Sequence, residues 1–444
     1  MSSYILAINC GSSSIKSKLF LVPGNKGDAL KAVADVTVKN IGSKGDKVKF
    51  KISWEDAEGI AKLGKDLEED GEAGDAVEYK KLPPQLLERL IKSSEKLEKS
   101  QIKAIGHRVV HGGPTEKPIT VTKEHEEGLE RMDKLSEFAP LHNHSAVLAI
   151  RACLSALPDH TSVLLFDTLF HQTLPKEVYS YAIPPQESGA LDRSIPLRKY
   201  GFHGLSYMSI LGAMAKKLNK KEEDVSIVVA HLGSGGSSCC IRKGKSIDTS
   251  MGLTPLEGLV GGTRSGSIDP TLIFHLVPGA AEDAGLEGIK VSRAEATLNK
   301  KSGLQAVAGT ANFGTITTRM TDKSSCSEEE HSACTLAYDL YVDRLMFYLT
   351  GYLSKLLGSL DSSEVDGIVF SGGIGEKSDY LRADVARRLG WMGVSVDKAR
   401  NEQASKGEEV VSAIHAEGSK VGLYVVQTDE EDVCARMTRE ELGL

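Results

Sequence analysis

Two stretches of this sequence, about half a chain apart, repeat one pattern: an apolar strand, a turn rich in glycine and serine, and a second apolar strand. They cover residues 4–22 and 226–241, and a third stretch at 366–376 is a strand that leads into a glycine-rich turn. The N–H and O–H groups of such turns can surround phosphate oxygens. Alone, each stretch could be an ordinary β-hairpin, but the repetition predicts an internally duplicated protein with a nucleotide between its halves.

Length, charge and cysteine content narrow the class of protein. The chain has 444 residues, 40% of them hydrophobic, which is enough for a large core and two or more domains. The formal net charge of -7 argues against nucleic acid as the main partner. We expect neither a signal peptide nor a membrane span. The seven cysteines form no Cys-x-x-Cys spacing, which favours free thiols in a reducing cytoplasm over a disulfide or zinc framework.

The alternation of apolar strands and amphipathic helices predicts an α/β protein with covered sheets. A hairpin with strands near residues 36–38 and 48–52 is expected to extend the first sheet. Helices are expected from Pro83 onwards, over residues 124–135 and over residues 332–357. Residues 55–78 hold ten acidic residues, two lysines and four glycines, which predicts a solvated surface insertion.

Several side chains that could perform chemistry lie at strand ends, where the ligand sites of α/β sheets collect. Arg108 lies between a predicted strand and a Gly-Gly turn, and Arg264 lies in a Gly-Thr-Arg-Ser-Gly loop. Two guanidinium groups can bind a carboxylate and a phosphate bidentately. Asp167 ends a buried strand and could orient a metal, a water or the acceptor. His142 lies in a predicted loop, and His203 follows Gly201 and Phe202 just before a predicted helix. A lone arginine is usually a surface cation and a lone histidine usually a structural residue, so these positions keep both interpretations.

Oxygen ligands and absent signatures complete the evidence from the residues. Asn9 and Glu430 are ligands of the kind that Mg²⁺ prefers. The sequence has no Walker motif, no kinase Asp-Phe-Gly signature, no His-Glu-x-x-His and no Gly-x-Ser-x-Gly. P-loop enzymes, protein kinases, zinc proteases and serine hydrolases of those types are therefore disfavoured.

Taken together, these residues resemble the signatures of the acetate kinase family. The matching segments are NCGSSSIK at 9–16, HRVVHGG at 107–113, FDT and FHQT within 166–173, YGFHG at 200–204, TSMG and PLEG within 249–258, GTR and GSIDP within 262–270, and GIGE at 373–376. They occur in order from the first strand to the last acidic cluster. The resemblance therefore covers essentially the whole chain, and the combination is specific although no single segment is.

The resemblance implies a fold and a reaction. The implied fold is α/β, with two duplicated RNase H-like domains of the sugar kinase/Hsp70/actin type and the active site in the cleft between them. Residues 1–167 with 430–444 would form the acetate and Mg²⁺ domain, and residues 168–429 the nucleotide-binding domain. The implied enzyme is a homodimer that transfers a phosphoryl group between ATP and acetate, giving ADP and acetyl phosphate, with Mg²⁺ or Mn²⁺ as cofactor.

The family's site residues can be carried over position by position. The resemblance assigns the catalytic aspartate to Asp167, transition-state stabilisation to His203 and Arg264, and substrate binding to Arg108, and we keep His142 as a further catalytic candidate. The Mg²⁺ positions fall on Asn9 and Glu430. The pocket for the acetate methyl falls on Val110, Leu141, Phe202 and Pro255. The nucleotide-binding positions are Ser12, Ser14, Lys16, His231, Leu232, Gly233, Ser234, Gly235, Asn312, Phe313, Gly373, Ile374, Gly375, Glu376 and Lys377.

Three departures from the family pattern fall on the nucleotide side. Ser234 and Lys377 each replace an asparagine, and residues 312–315, Asn-Phe-Gly-Thr, stand where an Asp-Phe-Arg run is expected. The phosphate-facing residues are intact. We therefore expect ATP as the main donor, with GTP or ITP accepted within about an order of magnitude.

Three alternative functions remain open at this point. Two are enzymes: a propionate or butyrate kinase, and an acetate kinase with a non-ATP donor such as pyrophosphate. The third is a non-catalytic nucleotide-binding module of the actin or Hsp70 type. Retention of both arginines with His203 and Asp167 argues against the module, because nucleotide binding alone needs no site for an acceptor carboxylate.

Overall fold

The structure is a computed structural model that describes residues 2–11, 13–56, 62–135, 140–184, 195–285, 291–358 and 364–444. The expected phosphate ligand Ser12 and part of the acidic segment, residues 57–61, lie outside the described residues. The side chains of Leu141 and His142 lie outside them as well. The predictions made for these side chains therefore stay predictions.

Strands and helices alternate along the described residues. The strands are β1 Ser3–Cys10, β2 Ile15–Val22, β3 Lys31–Lys39, β4 Lys47–Trp54, β5 Leu67–Ala73, β6 Ile102–Val109, β7 Ile119–Val121, β8 Thr161–Phe166, β9 Ile227–Leu232, β10 Gly236–Arg242, β11 Lys245–Thr249, β12 Gly367–Ser371, β13 Val411–Ala413 and β14 Leu423–Val426. The helices are α1 Leu82–Lys92, α2 Glu127–Leu135, α3 Pro140–Ala156, α4 Lys176–Tyr179, α5 Gly204–Leu218, α6 Leu272–Leu276, α7 Arg293–Lys300, α8 Gly303–Ala308, α9 Phe313–Thr321, α10 Glu328–Leu357, α11 Gly372–Lys377, α12 Asp379–Arg388, α13 Lys398–Ala404 and α14 Glu430–Leu442.

The chain separates into two compact units, each with one sheet. The first unit is Met1–Leu169 together with Asp429–Leu444, and the second is Phe170–Thr428. The first unit therefore contains residues from both ends of the sequence.

The first unit is built on an eight-stranded sheet in the order β5-β4-β3-β2-β1-β6-β8-β7. Strands β1, β6 and β8 are parallel to one another, and the other pairings are antiparallel. The central strand β1 is buried continuously from Tyr4 to Ile8, as expected for a strand covered on both faces. Helix α14 packs against β1 and β6. This contact requires glycine at position 106, because a Cβ there would lie 2.3 Å from Thr438 Oγ1.

The second unit is built on a six-stranded sheet in the order β11-β10-β9-β12-β14-β13. Strands β9, β12 and β14 are parallel to one another. Alternate residues of β9 serve different cores: Val228 and Ala230 pack in the cluster that contains α10, whereas Ile227 and Val229 pack in the cluster that contains α5. The period of two along a strand thus places one helical layer on each face of the sheet.

The structure confirms the predicted glycine-turn strands and the predicted helices, but it corrects three local predictions. Helix α3 begins at Pro140, so His142 lies in a helix and not in a loop, because proline is favoured in the first turn of a helix. The third glycine turn is the short helix α11. The acidic segment contains the edge strand β5, which pairs with β4. Its charged residues suit an edge strand, where charge discourages pairing with other chains.

Two further findings concern the chain as a whole. All seven cysteines are free thiols. Among the described helices, none combines the length and the apolar character that crossing a membrane requires.

Candidate active site

The first glycine turn joins β1 to β2. The Gly11 N–H donates to the Ser14 carbonyl oxygen at 2.9 Å, and the Tyr79 hydroxyl donates to the Gly11 carbonyl oxygen at 3.0 Å. Ser14 is half-buried in this turn, and Lys16 is exposed on β2. Burial raises the pKa of the Cys10 thiol to about 12, so Cys10 is protonated at neutral pH and serves packing.

Four of the expected site residues meet at the carboxyl ends of β1, β6 and β8. We call Asn9, Arg108, Asp167 and Glu430 the strand-end cluster. Asn9 and Arg108 are paired across β1 and β6, and Asp167 directly follows β8, whose last residue pairs with β6. Glu430 is the first residue of α14. Parallel neighbours end at the same edge of a sheet, so the fold collects residues that lie far apart in sequence.

Hydrogen bonds connect the strand-end cluster into a chain. Arg108 grips Asp167 with two donors, Nε to Oδ1 at 3.1 Å and Nη2 to Oδ2 at 2.5 Å. Arg108 Nη1 also donates to Asn9 Oδ1 at 3.4 Å, and Asn9 Nδ2 donates to Glu430 Oε2 at 2.7 Å. Such a two-donor grip fixes the plane of the guanidinium group.

The charges of the strand-end cluster depend on one another. The Asp167 side chain is only 1% exposed, so its carboxylate relies on Arg108 for compensation. Burial alone would lower the pKa of the Arg108 guanidinium, but the nearby charges of Asp167, Glu430 and Glu431 outweigh burial and raise it. Arg108 is therefore a permanent cation. A guanidinium group of this kind can bind a carboxylate or a phosphate bidentately.

The oxygens around Glu430 fit the chemistry of a Mg²⁺ site. Mg²⁺ takes hard oxygen ligands and is usually held by one or two carboxylates together with substrate phosphates. Glu430 offers a carboxylate next to the Asn9 amide, and the neighbouring Glu431 has a buried Oε1 that lacks a hydrogen-bond partner. Burial, with the Glu430 charge, raises the pKa of Glu431, and a bound cation would reverse that shift. The donor set of the described residues is therefore compatible with the predicted metal.

The second and third glycine turns lie side by side because β9 and β12 are parallel neighbours. The second turn is closed by a hydrogen bond from Gly233 N–H to the Gly235 carbonyl oxygen at 3.0 Å. The third begins at Gly372, whose φ is +74° and whose Cβ, if present, would lie 2.6 Å from the Leu232 carbonyl oxygen. Only glycine allows this close approach of the two turns.

A pocket of about 530 Å³ opens beside these turns. We call it the glycine-turn pocket. Its lining residues are Gly233, Ser234, Gly262, Leu304, Ala311, Asn312, Phe313, Gly314, Thr317, Gly373, Ile374, Lys377, Ser378, Asp379 and Tyr380. Ligand pockets of this size combine apolar walls with a few polar groups. The pocket brings together all three departures from the family pattern.

Two residues of the glycine-turn pocket owe their positions to α9 and α10. Asn312 Oδ1 accepts the Thr315 N–H at 3.0 Å and thereby caps the N-terminus of α9. The Phe313 ring packs on Tyr338 and Tyr341 of α10, with ring centroids 5.9 and 5.0 Å apart. This part of the pocket therefore has an apolar wall at Phe313 and a side-chain amide, that of Asn312, fixed by a hydrogen bond to the backbone.

Arg264 lies against the second glycine turn. A Cβ at Gly235 would be only 2.9 Å from Arg264 Nη1, so the guanidinium group occupies the space beside that turn. The loop that carries Arg264 is tied to the same turn, because Gly262 N–H donates to the Ser234 carbonyl oxygen at 2.9 Å. The structure thus places the expected cation where phosphate oxygens are expected to bind.

His203 is held in a left-handed backbone conformation, with φ of +60° and ψ of +25°, directly before α5. This conformation is uncommon outside glycine and is often found at functional sites. His203 Nδ1 and Ser237 Oγ are 2.8 Å apart, and the Tyr207 hydroxyl is hydrogen-bonded to the same Ser237 oxygen. The His203 and His231 rings meet edge to face at 4.9 Å between centroids. Ser237 therefore links His203 to the second hairpin.

The expected residues of the acyl pocket are distributed over both units. Val110 is buried in the first unit, and Phe202 and Pro255 are buried in the second. The Phe202 carbonyl oxygen is 2.9 Å from His171 Nε2, which fixes the backbone beside His203. The acyl pocket itself stays a prediction.

Sequence reasoning missed several residues that contact the site. Tyr79 closes the first turn, Ser237 holds His203, and Asp379 and Tyr380 line the glycine-turn pocket. For Asp379 and Tyr380 a signal existed, because they follow the third glycine turn directly. Tyr79 comes from a distant segment, so no local pattern could have indicated it.

Comparison with known proteins identifies the family. The sequence model of the acetokinase family matches residues 4–436. The chain belongs to the acetokinase family. It is 54% identical over 440 residues to a protein named "Probable acetate kinase" from Cryptococcus neoformans, covering 99% of this chain and 98% of that protein. Members of this family are kinases, so the chain is an enzyme that transfers phosphoryl groups.

Solved structures of the family agree with the fold. The crystal structure of Porphyromonas gingivalis acetate kinase superimposes with a TM-score of 0.76 at 30% identity, covering 99% of this chain and 100% of that chain. A propionate kinase from Francisella tularensis gives a TM-score of 0.77 at 31% identity, covering 99% of both chains. The predicted fold class, α/β of the sugar kinase/Hsp70/actin type, is therefore confirmed.

Proposed function

We propose that this enzyme transfers the γ-phosphoryl group of ATP reversibly to acetate, giving acetyl phosphate and ADP. Family membership and relatives named acetate kinase support the reaction. The observation that carries the proposal is Arg264, whose guanidinium lies against the second glycine turn beside the glycine-turn pocket. Phosphoryl transfer depends on fixed cations at the phosphate oxygens rather than on covalent chemistry by the protein.

In the proposed reaction an oxygen of the acetate carboxylate attacks the γ-phosphorus in line. The new O–P bond forms as the bond from phosphorus to the β–γ bridging oxygen breaks, and its electron pair leaves with ADP. Acetate is already ionised at neutral pH, so no strong general base is needed. Asp167 therefore orients Arg108, and Arg108, His203 and Arg264 stabilise the charge on the transferred group.

We infer a division of labour between the units. The first unit takes the acetate and Mg²⁺ side, and the second unit takes the nucleotide, held by the second and third glycine turns. Asn9 and Glu430 would hold Mg²⁺, with Mn²⁺ as a substitute. When bound, the metal would supply positive charge that offsets the negative charge of the phosphate groups.

The test is acetyl hydroxamate formation from ATP, Mg²⁺, acetate and hydroxylamine. We expect activity in the wild type and a far larger fall in kcat than rise in the KM for acetate in Arg264→Ala, because Arg264 acts mainly in the transition state. An unchanged kcat with a raised KM would assign Arg264 to ground-state binding. No product from the wild type would reject the proposed reaction.

A second acceptor, propionate, is favoured by one observation: a propionate kinase superimposes on this chain as well as an acetate kinase does. We infer acetate as the preferred acid because Val110 would cap its methyl group. Val110→Ala should raise kcat/KM for propionate relative to acetate roughly tenfold, since one methylene in an apolar pocket is worth about 1–3 kcal/mol. An unchanged ratio would remove Val110 from the acyl pocket.

We further propose a homodimer in a reducing cytoplasm. The seven free cysteines support the reducing compartment.

The support for the homodimer is an exposed apolar helix. Helix α6 exposes Leu272, Phe274 and Leu276, with Phe274 74% exposed. Its Ile273 lines a second pocket of about 520 Å³. An exposed apolar side chain beside an apolar pocket suits a two-fold interface. Phe274→Glu should give monomers in light scattering, and a wild type that is monomeric at micromolar concentration would reject the proposal.

A further inference from the structure

Arg382, on α12, is the largest side chain that the described part of the protein buries completely. Arginine is almost never fully buried without a partner. All five of its N–H donors are used, and every acceptor is an uncharged oxygen. Burial lowers the pKa of Arg382 to about 10, offset in part by the charges of Asp379 and Glu376, so it still carries a positive charge at neutral pH.

Two of the five donors hold the third glycine turn. Arg382 Nη1 donates to the carbonyl oxygens of Gly375 and Glu376 at 2.8 and 2.7 Å. These carbonyls belong to the end of α11, where helical carbonyls have no partner inside the helix. A helix of six residues is not stable alone, so α11 depends on such outside contacts for its position.

The other three donors anchor Arg382 to α13 and to Ser405, the residue that directly follows α13. Nε donates to Asn401 Oδ1 at 2.7 Å, and Nη2 donates to the Asn401 carbonyl oxygen at 2.7 Å and to Ser405 Oγ at 2.8 Å. The Asn401 amide in turn donates to the Asp379 carbonyl oxygen at 2.9 Å. Arg382 and Asn401 together therefore hold both α11 and the first residue of α12.

The segment held in this way is one wall of the glycine-turn pocket. Gly373, Ile374 and Lys377 of α11 line that pocket, and so does Asp379. Arg382 and Asn401 hold this wall through its backbone without being part of the pocket lining. A shift of about 1 Å in such a wall can reduce the efficiency of an enzyme roughly a hundredfold.

We propose that Arg382 is a positioning residue for the nucleoside part of the phosphoryl donor, acting through α11. The inference rests on the proposed function, since it takes the glycine-turn pocket as the site of base and ribose. It assigns no direct contact with substrate to Arg382. Loss of the arginine should therefore weaken ATP use and leave acetate use unchanged.

Three variants test the proposal, and in each the change in the KM for ATP is compared with the change in the KM for acetate. Arg382→Lys keeps the charge but has three donors for five acceptors, and should raise the KM for ATP about tenfold with the KM for acetate within twofold. Arg382→Met should raise it further. If that variant does not fold, Asn401→Ser should produce the same selective rise, because it releases Asp379 and one acceptor of Arg382. Arg387→Met, on the exposed side of α12, is the matched control and should match the wild type.

A donor analogue without base or ribose distinguishes a specific loss of nucleoside positioning from a general disturbance of the active site. Mg-tripolyphosphate should compete with ATP with the same inhibition constant, within twofold, in the wild type and Arg382→Lys. Equal rises in the KM for ATP, the KM for acetate and the tripolyphosphate constant would overturn the inference. A lowered Tm with unchanged kinetics would overturn it too. An inactive wild type would instead reject the proposed function, so the two failures are distinguishable.

Discussion

Gly235 shows how one absent side chain shapes the site. The Arg264 guanidinium fills the space that a Cβ at this position would need. The end of an arginine side chain is flexible. The fold would therefore tolerate alanine at position 235, because the Arg264 guanidinium can move away from the added Cβ. Alanine at position 235 would therefore impair catalysis rather than folding, because a cation stabilises the transition state only where negative charge develops.

Gly235→Ala should lower kcat tenfold or more, with a Tm within about 2 °C of the wild type. The adjacent Gly236→Ala is the matched control, since its Cβ would lie 3.6 Å from the nearest atom, Leu259 Cδ1, and activity should be retained. Steady-state kinetics and thermal melts of both variants decide the matter. A Gly235→Ala enzyme with normal kcat would mean that the position of Arg264 is not critical.

His107, in the first sheet, is expected to make the stability of the folded protein depend on pH. It is buried on β6, with Nε2 3.0 Å from Ser162 Oγ, and burial, with His160 nearby, lowers its pKa to about 3. An unfolded histidine titrates near 6.5. As the pH falls below about 6.5, the unfolded chain takes up a proton that the folded chain does not, so stability decreases by up to about 1.4 kcal/mol per pH unit for this group, down to pH 3.

His107→Gln should therefore lose less Tm between pH 7 and pH 5 than the wild type does, whatever its Tm at pH 7. Glutamine keeps a polar atom near Nε2 but does not titrate. The exposed His125 provides the control, and His125→Gln should retain the wild-type pH dependence. Equal slopes for His107→Gln and the wild type would show that His107 does not govern acid stability.

At the scale of elements, the sequence predicted those structures that have a strong local pattern. The glycine-turn hairpins and the long helix α10 were expected because continuous or periodic apolar residues mark them. The edge strand β5 was missed because its acidic residues resemble those of a solvated loop. The helical form of α11 was missed because glycine-rich segments predict turns. Its partner Arg382 comes from α12, which no local pattern can indicate.

The N-terminus of α10 allows a test at this scale. Ser327 caps the helix by accepting the Glu330 N–H at 3.2 Å, and Glu330 Oε2 accepts the Ser327 N–H at 3.0 Å. Ser327→Ala removes one half of this capping box and should destabilise the second unit by about 1 kcal/mol. Ser332→Ala, inside the same helix, should be neutral or slightly stabilising. Denaturation curves that rank the two variants the other way would contradict the capping role.

At the scale of the whole molecule, family resemblance predicted the fold class and the residues of the strand-end cluster. It could not predict which groups surround the departures at Ser234, Asn312 and Lys377. The structure places all three in the glycine-turn pocket. The apolar wall from Phe313 can support a purine ring of either kind, whereas base discrimination requires hydrogen bonds that the wrong base leaves unpaired.

We therefore expect ATP as the main donor, with kcat/KM for GTP and ITP within about tenfold, a difference near 1.4 kcal/mol. Pyrophosphate should be poor, because it cannot use the apolar wall. The measurement is kcat/KM for the four donors at fixed Mg²⁺ and acetate. A preference of a hundredfold or more for ATP over GTP would reject relaxed base selection. Activity with pyrophosphate and none with ATP would reject the nucleotide interpretation.

Because the first unit contains residues from both ends of the sequence, it cannot be completed until the end of the chain has been synthesised. Asn9 meets Glu430, 421 positions later, and α14 covers β1 and β6. At about 5–20 residues per second, a ribosome needs roughly 20–80 s to make the chain between them. Until α14 has been synthesised, β1 and β6 lack their covering helix, whereas residues 170–428 are contiguous and can fold as they emerge. The strand-end cluster is therefore assembled only after translation has passed Glu430, and no shorter nascent chain can have the complete site.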